Sequence, residues 1–150
     1  MEKFLKINCD GGARGNPGPA AAAFVVWDQA ENLQFKRGKY LGKATNNEAE
    51  YWAVIEALSW LRENPAEILR QAQDDVTVNF FLDSRLVVNQ LNGIFKIKEP
   101  RLRELLLKVR ELEQSVGVAK VSYTDVPREQ NVEADLLVNE TLDQLAMEIS

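Results

Sequence analysis

The chain contains no histidine. That removes the commonest general base near neutral pH and the commonest zinc ligand. Nucleophile pairs of serine or cysteine with histidine are excluded with it. A single cysteine, Cys9, is present, so no intrachain disulfide can form, and a reducing, cytoplasmic setting is expected. Cys9 lies in an apolar run and reads as a small core residue. No apolar run is long enough to span a bilayer and the first residues lack a signal-peptide pattern, so no membrane partner is expected. Positive charge is scarce too, with 18 Lys and Arg against 23 Asp and Glu and a net charge of -5. A nucleic-acid binder usually carries a basic footprint. Such a partner therefore requires that cations neutralise the acids, or that the acids lie away from the contact face. Any chemistry must rest on carboxylates, lysines or hard metal ions.

What is present is an ordinary soluble composition, 45% apolar and 27% charged, over 150 residues, which predicts one domain, 1–150, with a real core. Residues 3–9 read as a strand and Gly11 to Pro19 as a loop. Residues 20–27 and 33–41 read as a hairpin pair around Asp28 to Asn32. Thr45, with Glu48 three residues on, forms a capping box for a helix running to about Arg62. A short helical piece is expected from Asn64-Pro65, within a surface elaboration that reaches Asp75. Val76 to Leu82 alternates as a strand, and Ser84 caps a short helix ending near Gly93. Pro100 opens a helix with an apolar stripe of Leu102, Leu105, Leu106, Val109, Leu112 and Val116. Val118 to Tyr123 is a fifth strand, and about Asn131 to Ile149 a last helix. Three hairpin-linked strands followed by crossover units predict an α/β fold. Its sheet is mixed and five-stranded, three antiparallel strands first and then two parallel crossover strands, flanked by helices.

Four acids stand out. Asp10 closes the first strand before Gly11-Gly12 and Gly15-Asn16-Pro17-Gly18-Pro19. An acid there, beside a loop that permits close backbone approach, suggests a metal or phosphate site, although a lone Asp is more often a turn residue. Asp83 ends the fourth strand in the same way, with a helix-start role beside Ser84 as the alternative. In the helix after Thr45, phase separates two glutamates. At about 100° per residue, Glu50 lies within about 40° of Val54, Ala57 and Leu61, whereas Glu48 points about 130° away. Capping accounts for Glu48; a carboxylate on the buried stripe is costly unless paired or bound to metal, so Glu50 is the functional candidate. Asp135 shares a face with Val138, Leu142 and Ala146 while Glu133 lies off it, and its first-turn place is also favoured by the helix dipole. Four acids facing one sheet edge raise one another's pKa unless cations neutralise them. Hard oxygen ligands suit Mg2+ or Mn2+, and two such ions can stabilise both the attacking and the leaving oxygen in phosphodiester cleavage.

Taken in order, Asp10-Gly11-Gly12, Thr45-Asn46-Asn47-Glu48-Ala49-Glu50, Leu82-Asp83-Ser84 and Asn131-Val132-Glu133-Ala134-Asp135 resemble type 1 ribonuclease H over nearly the whole chain. The resemblance implies an endonuclease that hydrolyses the RNA strand of RNA–DNA hybrids with two Mg2+ ions, leaving 3′-OH and 5′-phosphate ends, and acting as a monomer. It implies that Asp10 bridges both metals and that Glu50 and Asp83 complete one metal site. Asp135 would hold the ion at the attacking water. Asn16, Asn46 and Asn47 match minor-groove contacts, with helix-start chemistry as the alternative for the last two. Lys43 and Thr45 match a DNA-phosphate pocket. Two departures point to the branch without a histidine loop and without a basic handle. Asp125 to Gln130 is short and lacks the histidine thought to assist product release; Arg128, or Glu129 as the weaker candidate, is expected to take over part of that role. In place of a handle, Lys96, Lys98, Arg101 and Arg103 form a small basic patch beside Phe95, and binding is expected to be weak and salt-sensitive. The alternatives are a nuclease of this fold acting on double-stranded RNA or RNA–DNA junctions, and a catalytically silent hybrid-binding module; none of the four acids is missing.

Overall fold

A computed structural model describes residues 3–65, 76–118 and 120–149. Three strands come first, β1 (Lys3–Ala13), β2 (Gly18–Trp27) and β3 (Leu33–Ala44), followed by α1 (Asn46–Glu63) and β4 (Val76–Leu82). Then come α2 (Arg85–Leu91), α3 (Pro100–Val116), β5 (Lys120–Asp125), a 3-10 turn (Arg128–Gln130) and α4 (Val132–Ile149). The sheet order is β3-β2-β1-β4-β5. The first three strands pair antiparallel, and β4 joins β1 and β5 in parallel, as the element order predicts.

The two faces of the sheet are covered differently. On one, Leu5, Ile7 and Cys9 of β1 pack with Tyr51, Val54 and Leu58 of α1 and Leu105 and Val109 of α3. On the other, Ala21 and Ala23 of β2 receive Val138 and Leu142 of α4. The Ala20–Ala23 run is a fully buried strand rather than a helix. Its small side chains let α4 lie close to the sheet. Gly38 of β3 serves the same end, since a Cβ there would overlap the Thr141 hydroxyl.

The helix starts follow their sequence signals. The Thr45 hydroxyl accepts from the Glu48 N–H at 3.1 Å, and the Glu48 carboxylate accepts from the Thr45 N–H at 3.1 Å. The Ser84 hydroxyl accepts from the Val87 N–H at 3.2 Å. Strand ends differ from expectation. β1 continues through Gly11, Gly12 and Ala13, which pair with Ala22, Ala21 and Ala20, so the loop expected over Gly11 to Pro19 shrinks to Arg14–Pro17. Gly11 is there for contact with α1 rather than for a turn: a Cβ would collide with the Ala49 carbonyl and the Glu50 amide. β3 runs on to Ala44, with Gly42 at a φ of 79° beside a register shift in the β2–β3 ladder. β5 begins at Lys120 rather than Val118, its register set by parallel pairing from Thr77↔Lys120 to Leu82↔Asp125. The elaboration expected up to Asp75 lies, beyond Pro65, outside the described residues. Among the described residues, no helix is long and apolar enough to cross a membrane.

The two glycines after Asp10 are expected to respond unequally to a methyl group. Gly11→Ala should cost about 3 kcal/mol or more by chemical denaturation, because strand and helix must separate. Gly12→Ala, whose Cβ would sit 3.6 Å from Val138 Cγ1 in ordinary contact, should cost about 1 kcal/mol or less. Equal losses would contradict the close approach of β1 and α1.

Candidate active site

Asp10 lies in β1 on the same face as Asn8 and Gly12, toward α4. Asp83 follows the last residue of β4, and parallel pairing of β1 with β4 brings both acids to one end of the sheet. Glu50 enters from the buried stripe of α1. Its Oε1 accepts from the Gly11 N–H at 2.9 Å, while its Oε2 is buried with no hydrogen-bond partner among the described residues. One oxygen from each of Asp10, Glu50 and Asp83 lies within 4.8 Å of the others. Asp135, in the first turn of α4, lines the same cavity of about 320 Å³ without joining that tight group.

The electrostatic cost is plain in the titration of these groups. Burial pushes the Asp10 carboxyl up to about 7, and the charges of Asp83 and Asp135 add to this. Burial raises Glu50 well above the usual carboxylate range, with the Asp10 charge adding. Asp83 is raised by burial, and the Arg128 guanidinium, 4.0 Å away, partly offsets that. An unpartnered buried carboxylate oxygen amid three further acids fits a divalent cation, which supplies the missing positive charge and accepts hard oxygen donors.

The remaining predicted residues divide. Asn46 and Asn47 line the cavity. Asn16 is exposed, and its Oδ1 accepts from the Asn46 N–H at 2.9 Å. Asn46 Oδ1 in turn accepts from the Ala13 N–H at 2.9 Å, so both side chains tie the β1–β2 turn to the start of α1. Thr45 is the N-cap, and Lys43 lines a neighbouring cavity of about 250 Å³ with Lys39, Trp52 and Arg101. Arg128 lines the main cavity from the 3-10 turn, whereas Glu129 is exposed and is not among its lining residues. The basic patch is weaker than its sequence suggests. Arg103 donates to the Ile97 and Lys98 carbonyls, and Arg101 pairs with Glu48 and Glu104. Sequence reasoning missed Arg14 and Asn139, which also line the cavity. Asn139 stands one helical turn after Asp135 and donates to its carbonyl at 3.0 Å, a spacing that could have flagged it.

A meander of three strands, two parallel crossover strands and a helix-borne glutamate meeting an aspartate of β1 and one at the end of β4 define a protein of the ribonuclease H-like class. A family model described as reverse transcriptase-like matches residues 8–141. LC11-RNase H1, isolated from compost by a metagenomic approach, is 39% identical, with a TM-score of 0.86 over 97% of this chain and 99% of that one. The ribonuclease HI of Halobacterium salinarum is 41% identical over 134 residues, 89% of this chain and 62% of that protein. A bifunctional protein of Mycobacterium tuberculosis is 36% identical over 93% of this chain, which spans only 36% of that relative's length. The chain belongs to the type 1 ribonuclease H family.

The raised acids carry a pH signature. A carboxyl whose folded pKa exceeds its unfolded value favours folding below about pH 4 and loses that contribution as pH rises through about 7. Asp10→Asn, a neutral isostere, should therefore stabilise the metal-free protein at pH 8 by about 2 kcal/mol, on the order of 5 °C in melting temperature, and much less at pH 4. Added Mg2+ should reverse the ranking at pH 8. A metal-free Asp10→Asn variant no more stable than wild type at pH 8 would contradict the cluster's electrostatic cost.

Proposed function

We propose that the chain is an endonuclease that hydrolyses the RNA strand of RNA–DNA hybrids, working as a monomer in the cytoplasm, where its buried free Cys9 needs no partner. The observation that carries this reading is the acid cluster, in which three carboxylates meet around an unpartnered Glu50 oxygen beside Asp135. The similar LC11-RNase H1, 38% identical in that case, has been solved in complex with an RNA/DNA hybrid, which supports the choice of substrate.

Asp10, Glu50, Asp83 and Asp135 would hold the metal. When bound, divalent cations (two in this reading, Mg2+ or Mn2+) neutralise the acids, activate the attacking water and stabilise the leaving 3′-oxygen, leaving 3′-OH and 5′-phosphate ends. The protein's own groups do the rest. The Gly11 N–H orients Glu50, so that its second oxygen is the one presented to the ligand. Arg128 favours the ionised form of Asp83. Asn16 and Asn46 each spend their amide oxygen inside the protein, which leaves the NH2 groups to donate. Such donors suit ribose hydroxyls and the acceptors that all bases offer in a minor groove, without sequence readout. Asn47, in the cavity wall, would extend this set. Lys43 and Thr45 would meet a DNA-strand phosphate at the start of α1, where backbone N–H groups and the dipole favour an anion.

Labelled hybrid, double-stranded RNA and a junction substrate, each incubated with Mg2+, test this directly. Cleavage of the hybrid's RNA strand is expected, reduced about 1000-fold or more in Asp10→Asn and Asp83→Asn. No metal-dependent cleavage of any substrate by wild type would sink the enzyme reading, and preference for one of the other substrates would redirect it. In the same assay Arg128→Ala should lower turnover several-fold and shift the Mg2+ dependence. If both stay unchanged, Arg128 has no part in product release.

A further inference from the structure

Beneath the acids lies a largely buried chain of side-chain hydrogen bonds that links β2, β1 and the start of α4. The Trp27 indole Nε1–H donates to Asn8 Oδ1 at 3.0 Å. Asn8 Nδ2 donates to Asn131 Oδ1 at 3.0 Å and to the Gln130 carbonyl at 3.3 Å. Asn131 Nδ2 donates to the Cys9 carbonyl at 2.8 Å. Asn8 is 5% exposed and Asn131 1%. Only one orientation of the Asn8 amide works: turned over, it would set donor against donor at Trp27 and acceptor against acceptor at Asn131 and Gln130.

The two ends of this chain are the two halves of the acid cluster. The Cys9 carbonyl belongs to the peptide that leads into Asp10. The Asn131 carbonyl accepts from the Asp135 N–H at 3.1 Å and so begins the first turn of α4. The pairing Asn8↔Val25 places Trp27 diagonally across the β1–β2 ladder on the same face, which brings the indole within reach of Asn8. Asp135 is the one acid of the four outside the tight group, and α4 lies on the opposite side of the sheet from the helix bearing Glu50. Its position relative to Asp10 depends on how firmly the start of α4 is held to β1. The buried apolar cluster that holds α4 to the sheet, Val138 and Leu142 against Ala21 and Ala23, is built on β2 rather than on β1. A sliding helix would carry Asp135 with it.

We infer that Asn8 and Trp27 are positioning residues: through Asn131 they clamp the start of α4 to β1 and so fix the Asp135 carboxylate relative to Asp10 for cation binding. Partners behind metal-ligating groups are typically worth about 10–100-fold in metal affinity or activity. The inference rests on the metal-site reading above, and its test separates the two. Mn2+ is titrated calorimetrically into wild type, Asn8→Val and Trp27→Phe without substrate, and kcat and KM are measured on hybrid. Asn8→Val is expected to weaken Mn2+ binding and lower kcat about tenfold or more, with KM within about twofold, and Trp27→Phe to do the same more mildly. In the 15N–1H spectrum of Asn8→Val, one of the three indole resonances should move while the other two stay. Combined with Asp135→Asn, Asn8→Val should cost no further Mn2+ affinity, because its effect runs through that acid. If Asn8→Val does not fold, Trp27→Phe decides alone. Variants that melt lower yet keep wild-type Mn2+ affinity and kcat would make the chain a purely structural clasp and overturn the inference. Wild type that binds no Mn2+ would instead overturn the metal-site reading.

Discussion

One carboxylate oxygen of Glu50 is bound to the Gly11 N–H, and the other is buried with no hydrogen-bond partner among the described residues. Glycine at 11 makes the first contact possible, because any larger residue would push α1 off β1. The second oxygen is the consequence. Held against the strand that carries Asp10, Glu50 cannot turn to water, and its charge adds to the burial that already raises both groups. A fold that carries this arrangement favours whatever ligand removes the penalty, and a hard divalent cation is the ligand whose chemistry fits.

The rest of the molecule can be read as the means of holding this arrangement. Parallel pairing of β1 with β4 brings Asp83 to the same end of the sheet as Asp10, and the capping box at Thr45 fixes the phase with which α1 delivers Glu50. On the other face, β2 offers alanines where a larger core would keep α4 away. The interlocked Asn16 and Asn46 then join the β1–β2 turn to the start of α1, so the rim that would meet a hybrid is stiffened by bonds that leave its NH2 donors outward. A chain of net charge -5 need not repel a polyanion if its densest acids are matched by cations. Lys43 beside the smaller cavity adds positive charge on the α1 side, while Lys39 and Arg101 there are matched by Glu56 and Glu48.

Much of this was legible because it is local. Helical phase alone separates Glu50 from Glu48, and the structure buries the first to 5% exposure while the second closes the capping box. The mixed sheet, three antiparallel strands and then two parallel crossover strands, followed from the order of elements along the chain, whereas the order β3-β2-β1-β4-β5 came from the structure. What stayed hidden depends on contacts between distant residues. Gly11 and Gly12 resemble turn residues until α1 and α4 are seen lying against them, so β1 was read four residues short of Ala13. Arg101 and Arg103 look like a free basic patch until their partners, Glu48 and the Ile97 and Lys98 carbonyls, are in place. Asn8 reads as one polar residue in a strand, and its partner Asn131 stands 123 positions away.

The central claim is that the acids at the sheet edge are partly protonated without metal and surrender those protons to a cation. Isothermal titration of Mn2+ into the metal-free protein in buffers of different ionisation enthalpy measures this most directly. The account predicts binding whose apparent enthalpy depends on the buffer at pH 7, showing proton release, and whose proton count falls as pH rises above 7. Binding with no proton release at pH 7, or no binding at all, would contradict it.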